Sequence, residues 1–154
     1  MRVFVANEQS FPVDLAELRG LAELVLREEG YPDDTELTLL FVDEAEITGY
    51  NRRFLHREGP TDVLAFPVEI LIPGIVPERD HNGPPLVVGD VIIAPTYVAR
   101  QAEREGVAFE DEMALMVTHG ILHLLGYDHR QGDEAEMMER RERELMAMVG
   151  RDRP

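Results

Sequence analysis

Three of the five histidines lie in one short segment, residues 119–129, which reads His119-Gly-Ile-Leu-His123-Leu-Leu-Gly126-Tyr-Asp-His129. A spacing of four places His119 and His123 on one face of a helix, one turn apart. Gly126 can adopt the left-handed conformation that ends a helix, so the chain can turn back and bring His129 to the same point. We therefore predict a site in which three imidazoles hold one Zn²⁺ ion per chain and leave a fourth position open.

The residues around these histidines indicate that the helix is buried. Leucine, methionine, valine and isoleucine fill most positions from 115 to 125, so the helix is apolar almost all round. Buried imidazoles need partners, and a metal ion satisfies three of them together. The alternative is a structural helix that carries histidines without a ligand. Asp128, beside His129, either orients that ring or caps the turn.

The histidine spacing also matches the pattern H-E-x-x-H-x-x-G-x-x-H of the metzincin proteases, with one departure. The protease uses its glutamate as the general base that takes a proton from the water on zinc. Gly120 stands at that position and cannot take a proton. A metal-dependent hydrolase of peptides or small molecules is therefore an alternative that lacks its usual base.

The composition is typical of one globular domain spanning residues 1–154. The chain has no cysteine, so thiolate ligands and disulfides are excluded and histidine or carboxylate must bind any metal. It has no apolar run of about eighteen residues, and no signal peptide is visible at its start. We predict a cytoplasmic protein that makes no membrane contact.

The formal net charge is −16, which repels nucleic acid at long range. All fifteen basic residues are arginine, and arginine is the better fork for phosphate. Binding of RNA would therefore need a local basic patch, for which Arg52, Arg53 and Arg57 are the best candidates. The alternative is that these three side chains are only solvated surface. No binding of DNA is expected.

Hydrophobic periodicity and breaker residues predict strands and helices in alternation. Asp43 is a good N-cap for the second helix, with Glu46 completing a capping box. A strand–helix–strand start favours parallel pairing. The proline- and glycine-rich residues 70–86 are predicted to form a long loop. The predicted strands are residues 2–6, 35–42, 61–69 and 87–94, and the predicted helices are 11–29, 44–55, 95–105, 109–125 and 133–149.

A second unusual stretch, residues 51–67, reads Asn-Arg-Arg-Phe-Leu-His-Arg-Glu-Gly-Pro-Thr-Asp-Val-Leu-Ala-Phe-Pro. Thr61 and Asp62 open an apolar strand, where they either cap a turn or contribute to the site. Together with Gly89-Asp90-Val91, Gln101-Ala102 and the histidine segment, this stretch resembles the YbeY family, the bacterial rRNA maturation factors with endoribonuclease activity. The resemblance covers nearly the whole chain in order.

The resemblance implies an α+β fold, a single domain with a four-stranded mixed sheet, about five helices and a buried histidine helix. It also implies a zinc ion on His119, His123 and His129, a cytoplasmic role in maturation of the 3′ end of 16S rRNA, and ribosome quality control. The implied partners are rRNA and the small ribosomal subunit or its proteins.

Two residues depart from the family pattern. Many members carry a functional arginine directly after the aromatic residue of Asn-x-x-aromatic-Arg, and Leu55 stands there in this chain. Arg57 could supply that charge from a shifted backbone position. The usual serine of Asp-Val-Leu-Ser-Phe-Pro is Ala65 here, which we expect to matter little.

The chemistry expected of such a site is cleavage of an RNA phosphodiester, because a metal ion on three histidines activates water and polarises a phosphoryl oxygen. The attacking group is either hydroxide or the neighbouring 2′-hydroxyl, and the general base is not identified. A non-enzymatic alternative is a ribosome assembly factor with structural zinc, since an acidic chain attracts basic ribosomal proteins.

Overall fold

The computed structural model describes residues 1–130 and 132–154 of the protein. In this part of the chain four strands and five helices follow one another. Their order is β1 (Arg2–Glu8), α1 (Leu15–Glu28), β2 (Glu36–Val42), α2 (Glu44–Leu55), β3 (Val63–Pro67), β4 (Val87–Ile93), α3 (Pro95–Glu105), α4 (Phe109–Leu124) and α5 (Gly132–Ala147).

The strands form one sheet in the order β1-β2-β4-β3. β1 pairs with β2 and β2 with β4 in parallel, whereas β3 runs antiparallel to β4. The predicted α+β class and the mixed four-stranded sheet are therefore confirmed. β4 lies inside the sheet, and β3 forms one edge.

Two apolar clusters cover the two faces of the sheet. The larger cluster packs α1, α4 and α5 against one face, with Leu21, Leu39, Ile121 and Leu145 at its centre. The smaller cluster packs α2 and the start of α3 against the other face around Ile47. α4 is buried along nearly its whole length, so the prediction of a buried histidine helix is confirmed.

Local capping explains where α1 and α2 begin. Asp43 accepts a hydrogen bond from the Glu46 amide at 2.8 Å, as expected for the N-cap of α2. The prediction that α1 starts at Phe11 is wrong, because Asp14 caps this helix by accepting from the Glu17 amide. Phe11 instead lies in a turn, where its amide donates to the side-chain oxygen of Gln9 at 2.8 Å.

The third strand is shorter than the sequence predicted. It begins at Val63, after Asp62 has accepted a hydrogen bond from the Val63 amide at 2.7 Å. The side chain of Asp62 therefore caps the backbone at the start of β3, as one of the two interpretations predicted. None of the helices in residues 1–130 and 132–154 has the length and apolar character needed to cross a membrane.

Candidate metal and RNA site

The position of α4 is set by close packing against the sheet. This helix contacts α1, α3, α5, β3 and β4. Gly120 lies against the middle of β4, where an added Cβ would stand 2.6 Å from Cγ1 of Val91. A real Cβ does not come that close to another carbon, so Gly120 lets the helix approach the sheet. The same packing explains why a glutamate cannot occupy this position as it does in the metzincins.

The end of α4 turns the chain back as predicted. Gly126 has a φ of +104°, and the Tyr127 amide donates to the carbonyl of Leu122 at 3.0 Å, which closes the helix. A Cβ at Gly126 would stand 2.2 Å from the carbonyl oxygen of Leu71, in the long loop between β3 and β4. The loop backbone at Leu71 therefore packs closely against the turn that positions His129.

Two of the three histidines are held by their Nδ1 atoms. Nδ1 of His119 donates to Oε2 of Glu142 at 2.7 Å, and Nδ1 of His123 donates to the carbonyl oxygen of Tyr127 at 3.1 Å. Because carboxylate and carbonyl oxygens only accept, these bonds fix the proton on Nδ1. Nε2 of each ring keeps its lone pair, which is the arrangement that metal-binding histidines use.

The electrostatic environment of His123 also favours the neutral imidazole. Burial lowers the pKa of His123, and the neighbouring His119 and His129 lower it further, against the opposing effects of the Tyr127 carbonyl and Asp128. A neutral ring is the form that ligates a metal ion.

The three imidazole rings line one cleft, but they are too far apart to bind one metal ion together. The ring centroids of His119 and His129 lie 5.2 Å apart, and those of His123 and His129 lie 6.1 Å apart. A tetrahedral zinc ion with ordinary Zn–N bonds would place the centroids roughly 5 Å apart. Among the described residues, no group of three or more His, Cys, Asp or Glu side chains is arranged to hold a metal ion as it stands.

The donor set nevertheless fits zinc. Three imidazoles, two of them with Nδ1 already protonated and bonded, match the ligands of catalytic zinc sites. His129 lies in the exposed turn after α4, so a movement of about 1 Å toward His123 would bring the wider of the two centroid separations to the tetrahedral value. The metal assignment stays a prediction.

The histidines line a cleft of about 230 Å³. Its other walls come from the end of α2, from β3 and from the turn after α4. Arg57 and Arg130 bring positive charge, while Val63 and Ala65 form an apolar wall. The lining residues are Leu55, Arg57, Val63, Leu64, Ala65, His119, Gly120, His123, His129 and Arg130.

A second compartment of about 530 Å³ adjoins this cleft and shares Arg57, Val63, His119 and His129 with it. Its chemistry is different, because the carboxyl groups of Asp62, Glu105 and Glu112 line it together with the guanidinium groups of Arg57 and Arg153. The additional lining residues are Thr61, Asp62, Gln101, Glu105, Glu112, Leu115, Met116, Arg153 and Pro154. The histidines therefore lie between a cationic compartment and one of mixed charge.

Glu112 is the most unusual member of the second compartment. It is only 2% exposed, and its Oε2 atom has no hydrogen-bond partner within the described part of the chain. The pKa of Glu112 is raised to about 7, first by burial and then by the carboxylates of Glu105 and Asp62, against the opposing charge of Arg153. This carboxyl therefore changes charge near neutral pH.

The structure brings some of the predicted site residues to the cleft and places others elsewhere. Arg57, Thr61 and Asp62 line the compartments beside the histidines. Asp128 accepts a hydrogen bond from the Arg130 amide at 3.2 Å, so it caps the turn.

The two arginines before Phe54 do not line this cleft. Arg52 pairs with Glu58 at 3.2 Å on the surface. The guanidinium of Arg53 lies over the rings of Tyr50 and Phe54. Contact of either arginine with phosphate stays a prediction.

Two residues of the site were missed by the sequence reasoning. Glu142 is 1% exposed and holds His119, and its Oε1 atom accepts from Nε of Arg153 at 3.0 Å. Glu142 lies in the charged sequence of α5, whereas Arg153 lies beyond the end of that helix. The one available signal for Glu142 was the apolar spacing of α5, which places it on the same buried side as Met138 and Leu145.

Comparison with known proteins gives consistent matches over the whole fold. The model of the family described as endoribonuclease YbeY matches residues 4–150. The chain is 44% identical over 147 residues to the endoribonuclease YbeY of Thermobifida fusca, covering 96% of this chain and 93% of that protein. It is 40% identical over 154 residues to the endoribonuclease YbeY of Acidothermus cellulolyticus, covering 99% and 94%. The solution structure of TM1509 from Thermotoga maritima matches with a TM-score of 0.62 and 25% identity, covering 96% of this chain and 91% of that one.

Proposed function

The chain belongs to the endoribonuclease YbeY family, and from that premise we propose that it cleaves RNA phosphodiester bonds in the cleft lined by its three histidines. The observation that carries the proposal is the arrangement of His119 and His123, whose rings line the cleft while their Nδ1 atoms are engaged by acceptors. Arg57 and Arg130 stand at the same cleft, where an anionic substrate can reach them.

We propose that His119, His123 and His129 hold one zinc ion per chain. When bound, such an ion lowers the pKa of a water molecule and polarises a phosphoryl oxygen. The carboxylate of Glu142 and the carbonyl of Tyr127 keep Nδ1 of two rings protonated, so that the lone pair of Nε2 would be available to hold the ion.

The other residues of the cleft bind and orient the strand. The guanidinium groups of Arg57 and Arg130 donate to phosphate oxygens in the fork geometry that arginine provides. Arg57 thereby supplies the charge that Leu55 lacks at the position of the family arginine. Val63 and Ala65 present an apolar wall against which the sugar or base can pack.

The cellular role that we propose is maturation of the 3′ end of 16S rRNA and quality control of the ribosome, in the cytoplasm. The partners would be rRNA and the small ribosomal subunit or its proteins. The support for this finer proposal is membership of the family, together with the cationic side of the cleft.

The proposal is tested by measuring metal content and RNA cleavage on the same preparations. The protein is purified without added metal, and its bound metal is quantified by mass spectrometry. We expect one zinc ion per chain, cleavage of single-stranded RNA by the parent, and no cleavage by His119→Ala. The matched control is His81→Ala, because His81 lies in the exposed loop after β3 and should leave both measurements unchanged. A parent that cleaves RNA without stoichiometric metal would contradict the metal proposal.

A second candidate function is a ribosome assembly factor in which zinc is structural. The second compartment favours it, because the carboxylates of Asp62 and Glu105 would attract a basic ribosomal protein. Cosedimentation of the His119→Ala variant with 30S particles would support binding without catalysis. A peptide hydrolase is not favoured, because Gly120 is packed against Val91 where the proteases carry their base.

A further inference from the structure

Three aromatic rings form a cluster on the far side of β3 from the histidines. Tyr50 and Phe54 stand one turn apart on α2, with ring centroids 6.1 Å apart and planes inclined by only 19°. Phe66 of β3 meets Phe54 edge-on, with centroids 5.5 Å apart. We call Tyr50, Phe54 and Phe66 the aromatic platform.

Phe54 is the exposed ring of the aromatic platform, and a cation lies over it. Phe54 is 53% exposed, whereas Tyr50 and Phe66 are half-buried. The guanidinium carbon of Arg53 lies 5.6 Å from the Phe54 centroid and 5.8 Å from the Tyr50 centroid. A positive charge beside a partly exposed aromatic cluster is a combination that single-stranded nucleic acid binders use.

A hollow of about 380 Å³ lies against the aromatic platform, and its polar groups suit the edge of a base. Asp90 and Thr38 line it together with the three rings and the apolar side chains of Leu40 and Ile92. A carboxylate accepts from the exocyclic amine of a base, and a hydroxyl both donates and accepts. Ring faces for stacking and acceptors for the edge are how proteins bind unpaired bases.

The aromatic platform adjoins the histidine cleft through neighbouring residues on two elements. On α2, Phe54 lines the hollow and Leu55 lines the cleft. On β3, Phe66 lines the hollow and Ala65 lines the cleft. Successive side chains of a strand point to opposite faces, and β3 is the edge strand, so one extended strand can pass over this edge from one site to the other.

We propose that the aromatic platform is a second binding subsite, which stacks unpaired bases of the RNA strand whose phosphate lies at the histidines. This inference rests on the proposed function, since it assigns the same substrate to both surfaces. Single-stranded RNA is the committed occupant. An apolar segment of a ribosomal protein, docked on the same rings, is the competing outcome of the test.

The first experiment measures binding of a labelled single-stranded RNA by fluorescence anisotropy, using 2′-O-methyl RNA to slow cleavage. Phe54→Ala and Phe54→Leu are both expected to weaken binding by about 5-fold or more, because stacking of a base requires an aromatic face. The matched control is Phe4→Ala, since Phe4 is 54% exposed on β1 at the opposite edge of the sheet. If Phe54→Leu binds like the parent, stacking is overturned and apolar docking of a protein is favoured.

The second experiment uses the absence of tryptophan from the chain. Phe54→Trp keeps an aromatic face and introduces a single fluorophore, so we expect near-parental affinity and quenching of its emission when RNA is added. Phe4→Trp should bind RNA without quenching. Unchanged emission from Phe54→Trp at saturating RNA would overturn the inference.

The two proposals fail in different ways. If the parent does not cleave RNA but binds it with dependence on Phe54, the aromatic platform stands and the nuclease proposal fails. If the parent cleaves RNA and Phe54→Ala binds like the parent, the nuclease proposal stands and the platform fails. Thermal melts of each variant ensure that only folded proteins are compared. Because Phe54 is exposed, its substitutions are expected to leave the protein folded.

Discussion

The buried carboxyl of Glu112 makes folding stability depend on pH, and Glu112→Gln should remove that dependence. An amide has the shape of a protonated carboxyl at every pH, and its N–H can donate to the nearby Glu105 carboxylate. The pKa of Glu112 is raised from the ordinary value of 4.5 to about 7, mainly because the side chain is buried. The substitution Glu112→Gln therefore compares a carboxyl, which can lose a proton, with an amide, which cannot.

The direction follows from which state releases its proton first. Below pH 4.5 the carboxyl is protonated in both states, and the stability associated with it is fully present. Between pH 4.5 and pH 7 the unfolded chain releases the proton while the folded chain keeps it, so stability falls. The complete loss corresponds to about 3 kcal/mol, since one pKa unit is worth about 1.4 kcal/mol.

The assay is urea denaturation of the parent and of Glu112→Gln at pH 5 and pH 8. The variant should exceed the parent by under about 1 kcal/mol at pH 5 and by about 3 kcal/mol at pH 8. Glu110→Gln is the matched control, because Glu110 is exposed in the same first turn of α4. The other charged or polar groups that face Glu112 are the same in both proteins, so their effects largely cancel in the difference; these are Asp62, Glu105, His119, His129 and Arg153.

The result that would refute this reasoning is a stability gap that stays the same at both pH values, or a variant that is less stable than the parent at pH 8. Either outcome would mean that Glu112 is ionised in the folded protein across this range. Its unpartnered Oε2 would then have to be bound by a group that the described residues do not provide.

Three other predictions test the packing and the support of the site. Glu142→Gln should weaken zinc binding by about 10- to 100-fold, measured by chelator competition, because His119 loses its charged acceptor; parental affinity would contradict this. Gly120→Ala should lower the free energy of unfolding by about 1–3 kcal/mol, since its Cβ meets Val91, and adding Val91→Ala should restore part of the loss in urea titrations. Asp43→Ala should cost about 1 kcal/mol in the same assay by removing the N-cap of α2; no change would mean that packing alone fixes this helix end.

Much of the site could be predicted because its spacing is local. His119, His123 and His129 are brought to one cleft by a helix and the turn after it, and a four-residue spacing with a following glycine contains that information. The same is true of Asp43, whose cap is a contact between near neighbours in the sequence. Helix geometry and turn chemistry are enough for such contacts.

The supporting residues could not be predicted because they depend on tertiary packing. Glu142 lies 23 positions from His119, and only the docking of α5 on α4 brings them within 2.7 Å. Glu112 has no local feature that distinguishes it from the exposed acids around it. Its surroundings come from α3 and from the residues before β3, which line the same compartment beside the start of α4.

The backbone conformation of His56 determines where the side chains of Arg53 and Arg57 lie. α2 ends at Leu55, and His56 adopts a left-handed φ of +55°, which is rare for a residue with a side chain. The chain therefore changes direction between Arg53 and Arg57, so that Arg57 reaches the cleft while Arg53 lies over the aromatic rings. Histidine is enriched in this conformation, but most histidines do not adopt it, so the residue type of His56 alone does not predict the turn.

The contact between Leu71 and Gly126 has a consequence for engineering the chain. The backbone at Leu71 packs against Gly126, in the turn that positions His129, whereas residues 78–82 further along the same loop are exposed. A tag or a grafted segment inserted within residues 78–82 should therefore leave the histidine cleft intact. The same insertion placed just before Leu71 should displace the ring of His129 from those of His119 and His123.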